Sequence, residues 1–507
     1  MITRRDFLAA SAYAIAAPLF PTTRAAVTLR IPEKGTGPVM PDDFIGLSYE
    51  VEQLADPGFF SPHNTGLVRQ FRALTPRGIL RTGGNTGEFG WWKATTGSPE
   101  PVHPPTREVV GEPKAEFYPV TPEAVRNLAA FLDATRWRCI YGLNLGTNTP
   151  PRAADEAAFV AKALGSRLLY FQIGNEPELF SMHLRDPKSW SPHVYLQEWL
   201  LLARAVAARV PAATFGIPDL GGNHSWMTAI ADEWASIAGR PPIAEFTHHY
   251  YFDGPATNPA VTIPNLLKPA TLAGVQRTAD VARSAAAKMG VPVRMSEGNT
   301  CYGGGKPGLS DVFAAALWAA DYSLLLARNG YTGVNLHGGT GRVVANGLGG
   351  SLPGDALLAN EGATPAEVAR HPHPFYSPIG AFGSEYVLEP VAYGLQFAGA
   401  LRGGRFFDAD FTSTLQASGV NATAYGAELR GGHRSVIVVN KDLGNDLDVE
   451  FDFGTAAKGP VEVVTLRAPA IDSREAQIVR APGHLRLESG RITLHIPRSS
   501  AIAVRTK

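Results

Sequence analysis

Eight short β-type runs alternate with helix-forming stretches along most of this 507-residue chain, and that alternation restricts it to a parallel α/β fold. The runs lie at 44–49, 79–81, 139–143, 168–173, 214–217, 245–248, 291–295 and 333–336. Ala-rich amphipathic segments at 121–135, 152–164, 192–209, 225–238, 270–289 and 310–328 separate them, and an apolar run at 390–402 ends the series. A count of eight favours closure into a (β/α)8 TIM barrel over an open sheet, with the barrel spanning 41–402. Beyond 403 the helical stretches stop, and short alternating runs such as 435–439 and 447–451 appear between Gly, Pro and Asn-Asp turns. Residues 403–507 are therefore expected to form a C-terminal antiparallel β-sandwich. The segment 27–40, with its Val-Thr-Leu-Arg-Ile start, is expected to add a strand to it.

With 46 basic and 46 acidic residues the chain is formally neutral, and no Lys/Arg cluster in the sequence suits a phosphate backbone or an anionic membrane. Nucleic acid is thus an unsuitable partner. Cys139 and Cys301 allow at most one disulfide and no thiolate metal site; Cys301 reads as a small buried hydrophobe. Residues 1–26 combine Arg4-Arg5, a following Phe7-Leu8, an apolar core and Arg24-Ala25-Ala26. That order is expected of a twin-arginine signal peptide, which implies export to the periplasm or beyond in a bacterium, with no membrane span in the mature chain.

Several of the barrel runs end in polar or glycine-bearing sequence, where barrels carry their chemistry. Gly174-Asn175-Glu176-Pro177 follows the fourth run and Ser296-Glu297 the seventh. Two carboxyls on non-adjacent strands of one barrel can project over the same mouth. Retaining glycosidases need that arrangement, one carboxyl as acid/base and the other as nucleophile. The acid must hold a proton near neutral pH while the nucleophile stays ionised, and their mutual repulsion supplies part of that difference. The Asn175 amide is placed to bind a sugar 2-hydroxyl. Neither step requires a metal or an organic cofactor, and His248, His249 and His337 read as hydrogen-bonding or packing residues in preference to a metal cluster. Two long connections, at about 90–120 with Trp91-Trp92 and at about 338–375, follow strands and are expected to overhang the site.

Five stretches resemble glycoside hydrolase family 79, which contains heparanases and β-glucuronidases. They are 44–57 (FIGLSYEVEQLADP), 79–89 (ILRTGGNTGEF), 171–180 (FQIGNEPELF), 248–254 (HHYYFDG) and 297–311 (EGNTCYGGGKPGLSD). The Tyr-Gly-Gly-Gly run is the most specific of these, whereas Asn-Glu-Pro is shared across clan A barrel glycosidases. The resemblance implies Glu176 as acid/base, Glu297 as nucleophile and Asn175 on the 2-hydroxyl. It also implies His248 and Tyr250 at the sixth strand, with Tyr250 bonded to the nucleophile, and Glu50 and Asn85 on sugar hydroxyls. Backbone amides of Gly303 and Gly304, beside Tyr302, would receive a glucuronate carboxylate, since consecutive glycines let N–H groups converge on an anion. Tyr376 stands in for a tyrosine that some members place near the eighth strand.

Glu50 departs from the Asp of heparanases, and the 338–375 insertion has no counterpart there. The activity implied is retaining exo-β-D-glucuronidase action on a glucuronic acid-containing glycoside, oligosaccharide or polysaccharide. The alternatives are an endo-acting heparanase-like enzyme, a glycosidase for a methylated uronate or a neutral sugar, and a catalytically inactive sugar-binding barrel. An apolar pocket near Trp91-Trp92 would favour methylated or aryl substrates.

Overall fold

The eight runs close on one another in a computed structural model that describes residues 26–364, 373–482 and 485–507. The strands are β1 (Ile45–Glu50), β2 (Ile79–Gly83), β3 (Arg138–Leu143), β4 (Leu168–Ile173), β5 (Phe215–Leu220), β6 (Ile243–Asp253), β7 (Val293–Cys301) and β8 (Val334–Gly338). All pair in parallel, and β8 returns to β1 through Val334 opposite Ile45 and Gly338 opposite Tyr49, which completes the TIM barrel. A strand covered on both faces has no solvated side, and all six residues of β1 are buried accordingly.

Helices cover the outside of the barrel. Their starts follow from local chemistry: Thr121 and Ser191 accept hydrogen bonds from the amides of Ala124 and Val194, each ahead of a proline in the first turn. The helix Pro122–Thr135 buries Val125, Leu128, Phe131 and Leu132. Phe131 packs on Phe71 of the helix Thr65–Leu74, and Phe71 packs in turn on Trp137, with centroids 5.0 and 4.6 Å apart. Burial of each such ring contributes about 1.5–3 kcal/mol.

The C-terminal region forms two sheets around a core that includes Leu29, Val436, Val438, Val449, Phe451, Ile502 and Val504. The larger sheet runs antiparallel through Ala422–Glu428, Arg434–Asn440, Ser500–Thr506 and Pro460–Arg467. In the smaller sheet Leu447–Asp452 pairs antiparallel with Arg491–Ile496, and its other edge takes Val27–Arg30 in parallel. The chain therefore passes through the sandwich before it enters the barrel. Asp321, on the barrel helix Phe313–Arg328, is buried at the joint, where it pairs with Lys441 and accepts from Thr423 (2.8 Å) and Tyr425 (2.6 Å). Cys139 and Cys301 are both buried and free.

The export-signal expectation rests on residues 1–26, of which 1–25 lie outside the described residues. Among the described residues no helix is long and apolar enough to cross a membrane.

Candidate active site

The C-terminal ends of the barrel strands direct their polar side chains into one cavity of about 410 Å³. Glu297 forms part of its floor. A register shift between Met295 and Glu297 in the pairing of β7 with β6 turns this carboxylate toward the barrel mouth. Its Oε2 accepts from Arg81 Nη1 (2.6 Å), and its Oε1 accepts from the Tyr251 hydroxyl (2.9 Å). His337 Nδ1 lies 3.5 Å from Oε2. Burial alone would raise the proton affinity of Glu297, but the charges of His337, His249 and Arg81 and the Tyr251 hydroxyl outweigh it, so the carboxyl is held well below its usual range. Glu297 is thus kept ionised.

Glu176 sits three residues past β4 in a left-handed conformation (φ 43°, ψ 53°), which non-glycine residues seldom adopt. Asp219, at the end of β5, is left-handed as well (φ 63°), and its carbonyl accepts from the Glu176 amide at 2.9 Å. Two strained residues are therefore locked together where Glu176 leaves its strand. His249 Nδ1 lies 2.9 Å from Glu176 Oε1, and its Nε2 lies 3.2 Å from Asp219 Oδ1. Burial opposes a charge on this ring, but Asp219 and Glu297 overcome it and push its pKa up to about 10. Behind Glu176, the carboxyl of Glu88 accepts from the amides of Asn175 (2.7 Å), Leu145 (2.9 Å) and Gly146 (2.5 Å), fixing the turn that follows β4.

Arg81 ties the site together from the barrel interior and is fully buried. Besides Glu297 it donates to Ser48 Oγ (2.7 Å) and Asn175 Oδ1 (2.8 Å), and it pairs with Asp219. Asn175 Oδ1 also accepts from the Gly84 amide (3.0 Å), while its Nδ2 donates to Asn85 Oδ1 (3.0 Å). Glu50 Oε2 accepts from the amide and hydroxyl of Thr86 (2.9 and 2.7 Å), and its Oε1 faces His337 Nε2 at 3.3 Å. This approach requires glycine at 84: a Cβ there would lie 2.2 Å from Glu50 Oε2, and φ is +75°.

Of the residues expected from sequence, Glu50, Asn85, Glu176, Glu297, Tyr302, Gly303 and Tyr376 line the cavity together. Asn175 is buried beneath its wall. Gly304 is not among the lining residues; a Cβ there would lie 2.8 Å from the Leu352 side chain. Both long connections reach the cavity, the first through Gly111 and Glu112, the second through Val344 and Leu348. They touch each other as well, since a Cβ on Gly349 would lie 3.1 Å from the Glu112 carbonyl oxygen.

Strand β6 requires a correction. His248 and Tyr250 do not face the cavity: His248 Nε2 bonds to the Tyr331 hydroxyl (2.8 Å), and Tyr250 stacks on Tyr322 at 5.7 Å. His249 and Tyr251 point inward instead, because side chains alternate along a strand and a one-residue phase difference exchanges the faces. Tyr251, not Tyr250, bonds the Glu297 carboxylate. Trp91 and Trp92 are also displaced from expectation. Both are buried, Trp92 donates to Asp155 Oδ2 (2.8 Å), and neither lines the cavity. Arg81, Glu88, Asp219, Glu112 and Glu178 have no role in the sequence expectations, yet all bear on the site.

Oxygen or nitrogen atoms of Glu176, His249 and Glu297 lie within 4.8 Å of one another, close enough to surround a metal ion. His249, however, faces a carboxylate with each of its nitrogens and holds its proton up to about pH 10, so the ring has no free lone pair to offer an ion.

No family model matches the chain. A β-glucuronidase of Neurospora crassa is 27% identical over 355 residues, covering 63% of this chain and 61% of that protein. A β-glucuronidase of Aspergillus niger is 26% identical over 343 residues, covering 62% and 61%. The match thus spans about three fifths of the length of these curated relatives. Among solved structures, a 4-O-α-L-rhamnosyl-β-D-glucuronidase from Fusarium oxysporum 12S superposes with a TM-score of 0.68 at 17% identity, covering 95% of this chain and all of that one. The GH51 arabinofuranosidase of Xanthomonas axonopodis pv. citri gives 0.63 at 16% identity, covering 95% and 99%. At such identities the structural matches speak for the fold. By sequence the chain is similar to β-glucuronidases, and by architecture it shares the closed eight-stranded barrel of those solved structures.

Proposed function

We propose that this chain is a retaining exo-β-D-glucuronidase of the family 79 type. The observation that carries the reading is the carboxylate pair: oxygens of Glu176 and Glu297 approach within 4.8 Å across one cavity. Retaining enzymes hold their carboxyls about 5–5.5 Å apart, whereas inverting ones leave about 6.5–9.5 Å for an intervening water.

Glu297, kept ionised by its neighbours, attacks the anomeric carbon while Glu176 delivers a proton to the departing oxygen. Water then enters, Glu176 takes its proton, and the glycosyl ester on Glu297 is hydrolysed with net retention. Asn175, oriented by Arg81, Gly84 and Asn85, binds near the 2-hydroxyl, and Glu50 and Asn85 receive the other hydroxyls. Support for an acidic sugar comes from Gly303, whose amide has no acceptor among the described residues, flanked by Tyr302 and Tyr376. Contact between the two long loops supports a closed pocket, and with it exo action. Export as the twin-arginine sequence suggests would place this activity outside the cytoplasm.

The test is hydrolysis of p-nitrophenyl β-D-glucuronide beside the corresponding glucoside and galactoside, with Glu297→Gln as control. Release from the glucuronide alone, lost in the variant, is expected. Release from a neutral sugar removes the uronate assignment, and release of large fragments from a glucuronate polymer removes exo action.

A further inference from the structure

A second recess, of about 510 Å³, is shared between the barrel and the sandwich. Asp42 and Arg77 line it just ahead of β1 and β2, which puts it at the N-terminal ends of the strands, the face opposite the catalytic cavity. Gly399, Ala400 and Arg402 come from the turn that ends the last barrel helix, Pro390–Ala398. Leu429 and Arg430 lie between the sandwich strands Ala422–Glu428 and Arg434–Asn440, and Arg505 lies on the strand Ser500–Thr506. Four guanidinium groups thus meet around one carboxylate, in a chain whose charges balance overall. Because residues 77, 402, 430 and 505 are far apart in the chain, they form no cluster in the sequence.

The acids nearby are already engaged. Asp42 pairs with Arg430, Asp43 with Arg138 (2.5 Å), and Glu462, opposite Arg505 on the neighbouring strand, with Arg480 (2.6 Å). Arg402 donates to two neutral acceptors, the Gly399 carbonyl (3.0 Å) and the Thr75 hydroxyl, and burial pulls its pKa down against the lift from Asp42. Among the described residues, the side chains of Arg77 and Arg505 make no hydrogen bond and no ion pair. Positive charge held in a concave recess without matching counter-charge focuses the potential there and draws anions in.

We propose that this recess binds a phosphate or sulfate group, free or esterified to a small polar molecule, through Arg77, Arg402 and Arg505. A guanidinium meets such an oxyanion with two parallel N–H bonds. Four arginines against Asp42 leave an excess of positive charge that favours a dianion over a monocarboxylate. Both halves of the molecule supply arginines, so a bound anion bridges barrel and sandwich and stabilises the joint. The site is independent of the glucuronidase reading.

The experiment is calorimetric titration of the intact protein at pH 8 and low, constant ionic strength, with inorganic phosphate, inorganic sulfate and glucose 6-phosphate as probes and chloride as control. Saturable binding of at least one probe is expected, with Kd below about 1 mM and a Tm that rises with its concentration. Glucose 6-phosphate binding about tenfold tighter than phosphate assigns an ester, and equal or weaker binding assigns the free ion; either result supports the site. The double variant Arg77→Ala/Arg505→Ala removes two exposed side chains. It should weaken binding about tenfold or more, while the Tm without ligand and the rate on p-nitrophenyl β-D-glucuronide stay unchanged. No saturable binding beyond that of chloride, or equal binding by the double variant, overturns the proposal. Binding by a protein that cleaves no glucuronide upholds the site and removes the glucuronidase reading alone.

Discussion

His249 bridges Glu176 and Asp219, its Nδ1 2.9 Å from one carboxylate and its Nε2 3.2 Å from the other. A cation is thereby fixed beside the acid/base by a group that is itself wholly buried. Burial works against that cation, yet Asp219 and Glu297 raise its pKa to about 10, above an ordinary histidine value of about 6.5. A raised base contributes its stabilisation fully below about pH 6.5 and loses it as pH climbs through its folded value. Thermal stability should therefore decline between neutral pH and about pH 10, and His249→Gln should flatten that decline. The same substitution should lower kcat on an aryl glucuronide about 10- to 100-fold, the value of one hydrogen bond to a charged group. Calorimetry across pH and steady-state rates check the two outcomes; an unchanged kcat removes the role in orienting Glu176.

Tyr251 donates to Glu297 at 2.9 Å, whereas Tyr250 stacks on Tyr322 outside the cavity. Tyr251→Phe should lower kcat about tenfold or more, with a smaller change in KM, because the bond steadies the nucleophile's carboxylate. Tyr250→Phe should stay within about twofold, since the ring stacking is retained. If the two variants exchange these effects, the phase assigned to β6 is wrong.

That phase is where the sequence becomes hard to read. Apolar runs locate all eight strands, yet they stop short of the residues that carry the chemistry. The run at 214–217 continues in the fold to Leu220 and includes Asp219; the run at 245–248 continues to Asp253 and includes His249 and Tyr251. Polar side chains in these extensions are buried against one another and not against hydrophobes, so they look like loop until their partners on distant strands are known. Arg81 is the clearest case. It lies inside an otherwise apolar run, and an arginine buried on all sides is the signal that marks it, provided four acceptors are found for it. The helix Thr65–Leu74 is missing from the sequence expectations for a different reason. Only Leu67, Phe71 and Leu74 of its ten residues are buried, too narrow a stripe among polar neighbours. Glu176 and Glu297 are easier to find, because each stands within three residues of the end of a β-type run, 168–173 and 291–295.

Arg81 should prove intolerant of conservative change. Its two terminal nitrogens divide among Ser48, Glu297, Asn175 and Asp219, a fork that an ammonium cannot reproduce. Arg81→Lys should lower kcat/KM by about 100-fold through misplaced Glu297 and Asn175. Arg81→Met should in addition cost about 3–5 kcal/mol of stability, because it strands buried carboxylates. Chemical denaturation beside kinetics separates the two losses. Full activity in Arg81→Lys would show that the fork geometry is dispensable.

Glu156, in the helix Pro150–Leu164, does not line the cavity and gives a test of burial. Its Oε1 accepts from the Tyr141 hydroxyl at 2.9 Å, and both side chains are buried. Burial lifts its pKa from 4.5 to about 7, outweighing the Tyr141 bond and the charge of Arg152, which pull the other way. For a raised acid both states hold the proton below about pH 4.5, the unfolded chain ionises first above it, and stability falls until about pH 7, then levels off. Glutamine keeps the shape and carries no charge to desolvate. Glu156→Gln should therefore raise Tm by about 1–3 °C at pH 8 and leave it nearly unchanged at about pH 4.5. Differential scanning calorimetry at the two pH values decides the matter. An equal shift at both would assign the effect to packing, and a lower Tm at pH 8 would mean that the carboxylate is better solvated by its neighbours than its burial implies.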